Sequence, residues 1–290
     1  DRLIVVLNIV KVENIINSIR SNAPLIHCIT NPISINDCAN AVLAVGAKPI
    51  MAEHPKEVAK ITSMASVLAV NLGNITDARI NSIMISGKTS LENNIPSVID
   101  AVGVTCSDIR LELAKEYINV CRPAVIKGNI SEIKVLNGLS SDAAGIDVSD
   151  KDTFSSDNEV KMKYTGELVK ALAKKTNSVV VATGVVDTIS DGCEVYYIQN
   201  GCEMMSSITG TGCMLNVLIA SYISAGKYTD TKILYNAICA TALLGIAGER
   251  ARDYTLKNNA GLGTFHVRLL DEISLINAKT LCENAMISSF

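Results

Sequence analysis

Short runs of strand-forming residues alternate with stretches of helical periodicity along most of this chain, and that alternation narrows the folds open to it. Strand-type runs fall at Leu25–Ile29, Pro49–Ala52, Ser66–Leu72, Ser97–Ala101, Ala124–Lys127 and Ser178–Thr183. Helical patterns lie between them at Ile35–Val45, Glu57–Met64, Asp77–Glu92, Ser107–Val120, Glu132–Leu136 and Glu159–Lys174. A strand reaches a parallel neighbour only through a long crossover, usually a helix. The repeat therefore predicts a three-layer α/β fold: a mostly parallel central sheet with helices on both faces. Val186–Ser190 and Glu194–Gln199 flank Asp191-Gly192, a dipeptide suited to a tight hairpin, and predict antiparallel strands at one side.

After Gly210 the pattern reads as helices only, over Cys213–Ala225, Thr231–Gly248 and Thr264–Ile276, with Gly226 ending the first. Leu3–Val10 reads as the start of a helix running to about Arg20. Gly138–Asn158, rich in Ser and Asp, is the longest predicted surface loop. No linker divides the chain and no internal repeat shows, so residues 1–290 read as one domain.

Composition removes several classes of function. With 290 residues, 48% of them hydrophobic and 19% charged, the chain can bury a large core. Aromatic content of 4% with no Trp argues against base-stacking platforms, and a net charge of −3 without a long basic run argues against a phosphate-backbone partner. The apolar stretch Ile238–Gly248 is too short to span a membrane. Nine cysteines at irregular spacings, with no CxxC pair, fit neither a disulfide framework nor a structural zinc site; a reducing, cytoplasmic setting is expected. His27, His54 and His266 are scattered and form no zinc-hydrolase motif.

In an open parallel sheet, ligands bind beyond the carboxyl ends of the strands, so chemistry is sought in the loops there. The sharpest local feature is Thr209-Gly210-Thr211-Gly212-Cys213, set before an apolar helix. Two glycines permit a tight turn, and the freed N–H groups with the helix dipole make a site for anionic oxygens. Cys213 falls in the first turn and could take a proton from an attacking hydroxyl. The fragment alone fits a plain helix start equally well. Asp100 and Glu132, near strand ends, could hold Mg²⁺ through water, or serve as caps or solvated acids. Lys127 could offset phosphate charge. Ile85-Ser86-Gly87-Lys88-Thr89 resembles the end of a phosphate loop, but Ser82 stands where its first glycine belongs, and it reads as a helix end. Gly210-x-Gly212 and Gly261-x-Gly263 both lack the third glycine of a dinucleotide fingerprint.

Taken together, four segments resemble the hydroxyethylthiazole kinases: Pro24-Leu25-Ile26-His27-Cys28-Ile29-Thr30-Asn31, Gly46-Ala47-Lys48-Pro49-Ile50-Met51-Ala52, Val125-Ile126-Lys127-Gly128-Asn129-Ile130-Ser131-Glu132-Ile133 and Gly210-Thr211-Gly212-Cys213. Asn71-Leu72-Gly73, Asp100-Ala101-Val102-Gly103, Thr183-Gly184-Val185-Val186-Asp187 and Gly261-Leu262-Gly263-Thr264-Phe265 agree more weakly. The resemblance runs in order from Pro24 to Ile276. It implies a ribokinase-like fold, phosphorylation of 4-methyl-5-(2-hydroxyethyl)thiazole by ATP in thiamine salvage, and a homotrimer with sites between subunits. By the same resemblance Asn31 and Met51 line the thiazole pocket and Gly210 touches the hydroxyethyl group. Lys127 and Thr183 contact ATP, Asp100 and Glu132 position Mg²⁺, and Gly210, Thr211, Gly212 and Cys213 form the anion hole. Relatives on this fold carry Asp as the base where the thiazole kinases carry Cys, here Cys213.

The chain departs from the family pattern at Ala101 and Val185, where Pro is usual. Three other readings compete. A kinase of hydroxymethylpyrimidine or pyridoxal, and an ATP-dependent NAD(P)H-hydrate dehydratase, would each carry Asp at position 213. A cysteine-nucleophile hydrolase would need His27 or His266 beside Cys213.

Overall fold

The computed structural model describes residues 2–139 and 156–290. Its strands are β1 (Leu3–Val5), β2 (Leu25–Ile29), β3 (Lys48–Ile50), β4 (Val67–Asn71), β5 (Ser97–Asp100), β6 (Val125–Asn129), β7 (Val179–Thr183), β8 (Asp187–Ser190), β9 (Val195–Ile198) and β10 (Ile287–Ser289). Its helices are α1 (Ile9–Asn22), α2 (Ile35–Ala44), α3 (Val58–Met64), α4 (Asp77–Glu92), α5 (Asp108–Cys121), α6 (Ile130–Leu136), α7 (Ser156–Thr176), α8 (Thr211–Ile223), α9 (Ile233–Lys257), α10 (Leu262–Leu275) and α11 (Ala278–Asn284). Among the described residues the strands form one sheet in the order β1-β10-β9-β8-β7-β6-β5-β4-β2-β3. From β7 to β3 the pairings are parallel, and from β7 to β1 they are antiparallel. This is the expected α/β architecture with its antiparallel side.

The two faces follow from strand alternation. Cys28, Val67, Ala69, Val98, Val125 and Val181 pack beneath α1, α2, α8, α9 and α10. Ile29, Leu68, Val70, Ile99, Ile126 and Val180 pack beneath α4, α5, α6 and α7. Burial on both faces explains why these strands read as near-continuous apolar runs. Helix α8 is buried all round along Met214–Ile223, apolar but for Asn216 and Ser221. Each fully buried Leu or Ile there contributes roughly 1.5–3 kcal/mol. In α4, a Cβ added at Gly87 would lie 2.5 Å from both Cys121 and Tyr117 of α5. The Ser86–Thr89 stretch therefore serves a close helix contact within α4, with its glycine turned to α5.

Several elements differ from expectation. Leu3–Val5 is a strand, because it pairs with Ile287–Ser289 at the other end of the chain; the helix starts only at Ile9, capped by the Asn8 side chain. The stretch after Gly210 is not wholly helical, since β10 inserts between β9 and β1. Gly226 lies inside a 3-10 turn, Ser224–Lys227, and α8 is capped by Ser224 in a right-handed conformation. Gly128 and Asn129 end β6 directly, so Glu132 stands in the first turn of α6 and completes a capping box with Asn129. Helix α7 begins at Ser156, and the predicted loop at Gly138–Asn158 falls mostly outside the described residues.

Candidate active site

Parallel register sets three polar side chains in a row. Asn71 of β4 pairs with Asp100 of β5, and Asp100 pairs with Lys127 of β6. By the same alternation that packs Val67, Ala69, Val98 and Val125 under α8, all three face that helix. Lys127 Nζ donates to Asp100 Oδ2 at 2.9 Å, and both side chains are buried. Burial is the largest influence on each. It pushes the Asp100 carboxyl up against the pull of Lys127, and it would lower Lys127, but Asp100 holds the ammonium above its ordinary value.

The start of α8 lies over this row. Gly210 is the N-cap residue with φ +92°, a left-handed conformation that favours glycine, and a Cβ there would sit 3.1 Å from Ser34 Cβ. Thr211 Oγ1 donates to the Met205 carbonyl at 3.1 Å and anchors the turn. Gly212 is exposed, and a Cβ on it would come within 3.1 Å of Lys127 Nζ. The free N–H groups of the first turn and the Lys127 ammonium thus meet at one spot, which suits an anion.

Cys213 is held by amides. Asn31 Nδ2 donates to its Sγ at 3.1 Å, and Asn71 Nδ2 donates at 3.3 Å. Asn31 Nδ2 also donates to Asn71 Oδ1 at 3.2 Å, and Asn71 Nδ2 to Asp100 Oδ2 at 3.1 Å. Asn31 Oδ1 accepts from the N–H and hydroxyl of Ser34, each at 3.1 Å, and Asn71 Oδ1 accepts from Gly73 N–H at 2.8 Å. Neither of the candidate histidines bonds to this sulfur. His27 holds Thr62 Oγ1 at 2.9 Å and the Ala52 carbonyl at 2.8 Å, and His266 pairs with Asp37 at 3.1 Å. Cys213 therefore lacks the imidazole that a cysteine nucleophile requires.

Glu132 accepts from Gly103 N–H at 2.8 Å and from Asn129 N–H at 2.7 Å. Burial raises its carboxyl above the ordinary value while those N–H groups oppose the rise. Asp187 accepts from Gly184 N–H at 3.0 Å; burial pushes it up to about 7, against that N–H and Lys127. Thr183 ends β7, and its hydroxyl lies 3.4 Å from the Gly128 carbonyl. Met51 follows β3 and is half-buried.

Read across the sheet, Thr183, Asp100, Asn71, Asn31 and Met51 stand at or just beyond the carboxyl ends of β7, β5, β4, β2 and β3, and Lys127 lies within β6 in register with Asp100. The residues expected from sequence thus lie along one end of the sheet, with Lys127, Asp100, Asn31 and the Gly210–Cys213 turn in one connected cluster. Sequence reasoning placed Asn71 and Asp187 in segments of weaker family agreement without giving either a role, and it did not name Ser34. A polar residue closing an apolar run was the available signal for Asn71. Among the described residues, no helix is long and apolar enough to cross a membrane.

The model of the hydroxyethylthiazole kinase family matches residues 16–279. Hydroxyethylthiazole kinase 2 of Clostridium botulinum (strain Hall, type A) is 52% identical over 273 residues, covering 94% of this chain and 98% of that protein. The structure of a hydroxyethylthiazole kinase protein from Pyrococcus horikoshii OT3 matches with a TM-score of 0.82 at 28% identity, covering 97% of this chain and 99% of that one. A ribokinase-like superfamily protein from Enterococcus faecalis V583 shares the fold alone, with a TM-score of 0.56 at 15% identity over 88% of each chain. With a family match over most of its length and more than half of its aligned residues shared with a full-length relative, the chain belongs to the hydroxyethylthiazole kinase family.

Proposed function

We propose that this chain transfers the γ-phosphoryl group of ATP to the hydroxyl of 4-methyl-5-(2-hydroxyethyl)thiazole, the step that returns the thiazole to thiamine synthesis. One observation carries the reading: the first turn of α8, open at Gly212, lies over the buried Lys127–Asp100 pair, with the Cys213 sulfur at its edge. Phosphoryl transfer asks the protein for alignment and charge neutralisation more than for covalent chemistry. The first-turn N–H groups from Gly210 to Cys213 receive the charge of the transferring group, and Lys127 offsets part of it. The alcohol oxygen attacks phosphorus, the bond to the bridging oxygen of ADP breaks, and the hydroxyl proton passes toward Cys213 or the phosphate. Asn31 and Met51 orient the thiazole, Gly210 meets its hydroxyethyl arm, and Thr183 with Lys127 contacts ATP.

A divalent cation fits the acidic side of this site. Asp100 Oδ1 is buried and makes no well-formed hydrogen bond, while the Val102 N–H favours the charged carboxylate. Each Glu132 oxygen already accepts one backbone N–H and keeps a further lone pair. Asp100 and Glu132 would therefore hold Mg²⁺ through water, and the ion would neutralise charge on the nucleotide phosphates. A cytoplasmic homotrimer completes the reading. In its support, Ile33, Leu43, Leu262 and Val267 leave apolar surface exposed on or beside α2 and α10, which pack together next to the site.

The test is an ATP-consumption assay with the thiazole alcohol, hydroxymethylpyrimidine and pyridoxal, each supplied in turn. Turnover fastest with the thiazole alcohol is expected. Faster turnover of either alternative, or ATP use with none of the three, overturns the assignment.

A further inference from the structure

We infer that Asn71 is a positioning residue for Cys213: its amide aims the sulfur and ties it to the Asp100–Lys127 pair. The inference rests on the role given above to Cys213 and names what sets that role. The hydrogen-bond inventory around the two amides closes without remainder. An amide NH₂ has two hydrogens and its oxygen two lone pairs. The Asn71 NH₂ serves Asp100 Oδ2 and Cys213 Sγ, and its oxygen serves Gly73 N–H and Asn31 Nδ2. The Asn31 NH₂ serves Asn71 Oδ1 and Cys213 Sγ, and its oxygen serves both groups of Ser34. Turning either amide over would set an oxygen against an acceptor, so this network fixes both orientations.

The sulfur consequently receives two N–H donors from the strand ends. Donors so placed fix the sulfur and direct its remaining capacity away from them. Asn71 is the member that reaches both halves of the site, because one hydrogen of its NH₂ goes to the carboxylate paired with Lys127. Gly73 belongs to the same device. A Cβ there would lie 2.9 Å from Asn71 Oδ1 and 3.1 Å from Asn31 Nδ2, so only glycine leaves both amides seated.

The experiment measures alkylation of Cys213 by iodoacetamide at one fixed pH, site by site by peptide mass spectrometry, with neither ATP nor alcohol present. Asn71→Leu keeps the bulk of the side chain and removes its donors. The expected result is Cys213 alkylation slowed about ten-fold as the sulfur loses its aim, near the upper size of one net hydrogen bond. The exposed Cys106 and Cys193 should react as in the unmodified protein. Labelling of the buried Cys28 and Cys239 would mean that the variant has unfolded. Gly73→Ala, which only pushes on the two amides, is then read in its place and should slow Cys213 in the same direction. In the kinase assay kcat should fall by more than KM for ATP rises, since Asn71 meets the sulfur directly and the nucleotide side only through Asp100. An unchanged Cys213 rate in a folded variant overturns the inference. Alkylation needs no turnover, so a failure of the kinase assignment leaves this result readable.

Discussion

The two halves of the site solve opposite electrostatic problems. Around Asp100, Lys127 and Glu132, charge is buried in quantity: an ion pair at 2.9 Å and a carboxylate fastened to two backbone N–H groups. Around Cys213, Asn31, Asn71 and Ser34, the fold uses neutral donors and acceptors that satisfy one another. Buried ion pairs are poor sources of stability and expensive to break, whereas a satisfied neutral network fixes geometry at little cost. The contrast implies that the charged half exists for the charge it must meet, and the amide half for the direction in which it points a sulfur.

The largest effect should come from the charged half. Lys127→Ala strands a buried carboxylate and is expected to cost about 3–5 kcal/mol of folding stability, together with most of the activity. Pairing Lys127→Met with Asp100→Asn should restore much of the stability, read by urea unfolding, and none of the activity. Recovered turnover in that double variant would erase the distinction between the halves.

A smaller loss is expected at the sulfur. Cys213→Ala should lower kcat by about 10²-fold or less, the usual size of a general-base contribution. Cys213→Asp should remain active, since a carboxylate can take the same proton. An inactive but folded and ATP-binding Asp variant would remove Cys213 from proton transfer.

The smallest effect concerns pH. Burial holds the Asp187 carboxyl at about 7 against an ordinary 3.8, so between those values the folded chain keeps a proton that the unfolded chain has released. Rising pH then favours unfolding across that window, and the contribution levels off above about 7. Asp187→Asn should flatten this fall in stability, measured by urea denaturation at a series of pH values. An unaltered slope would show that Asp187 is solvated and belongs to neither half.

The parallel core was legible in sequence because its strands are long apolar runs separated by periodic helices. The turn Gly210–Cys213 was legible because glycine and a helix start coincide there. Strands β1 and β10 were not, since three residues carry no periodicity and each exists through distant partners, β1 on β10 and β10 on β9 and β1. Asp100 and Lys127 stood out by charge, whereas Asn71, with none, acquires its place only when register sets it beside Asp100. Glu132 was found for its charge with a cap as its alternative reading, and the backbone shows that cap at the start of α6.

That register has a consequence for how such a protein tolerates change. Because backbone pairing lines up Asn71, Asp100 and Lys127, the connections between β4, β5 and β6 could grow or shrink and leave the three heads where they are. A slip of one residue within β5 would instead turn Asp100 toward α4 and α5 and carry an apolar neighbour into the catalytic layer. Length is forgiven between the strands and punished inside them.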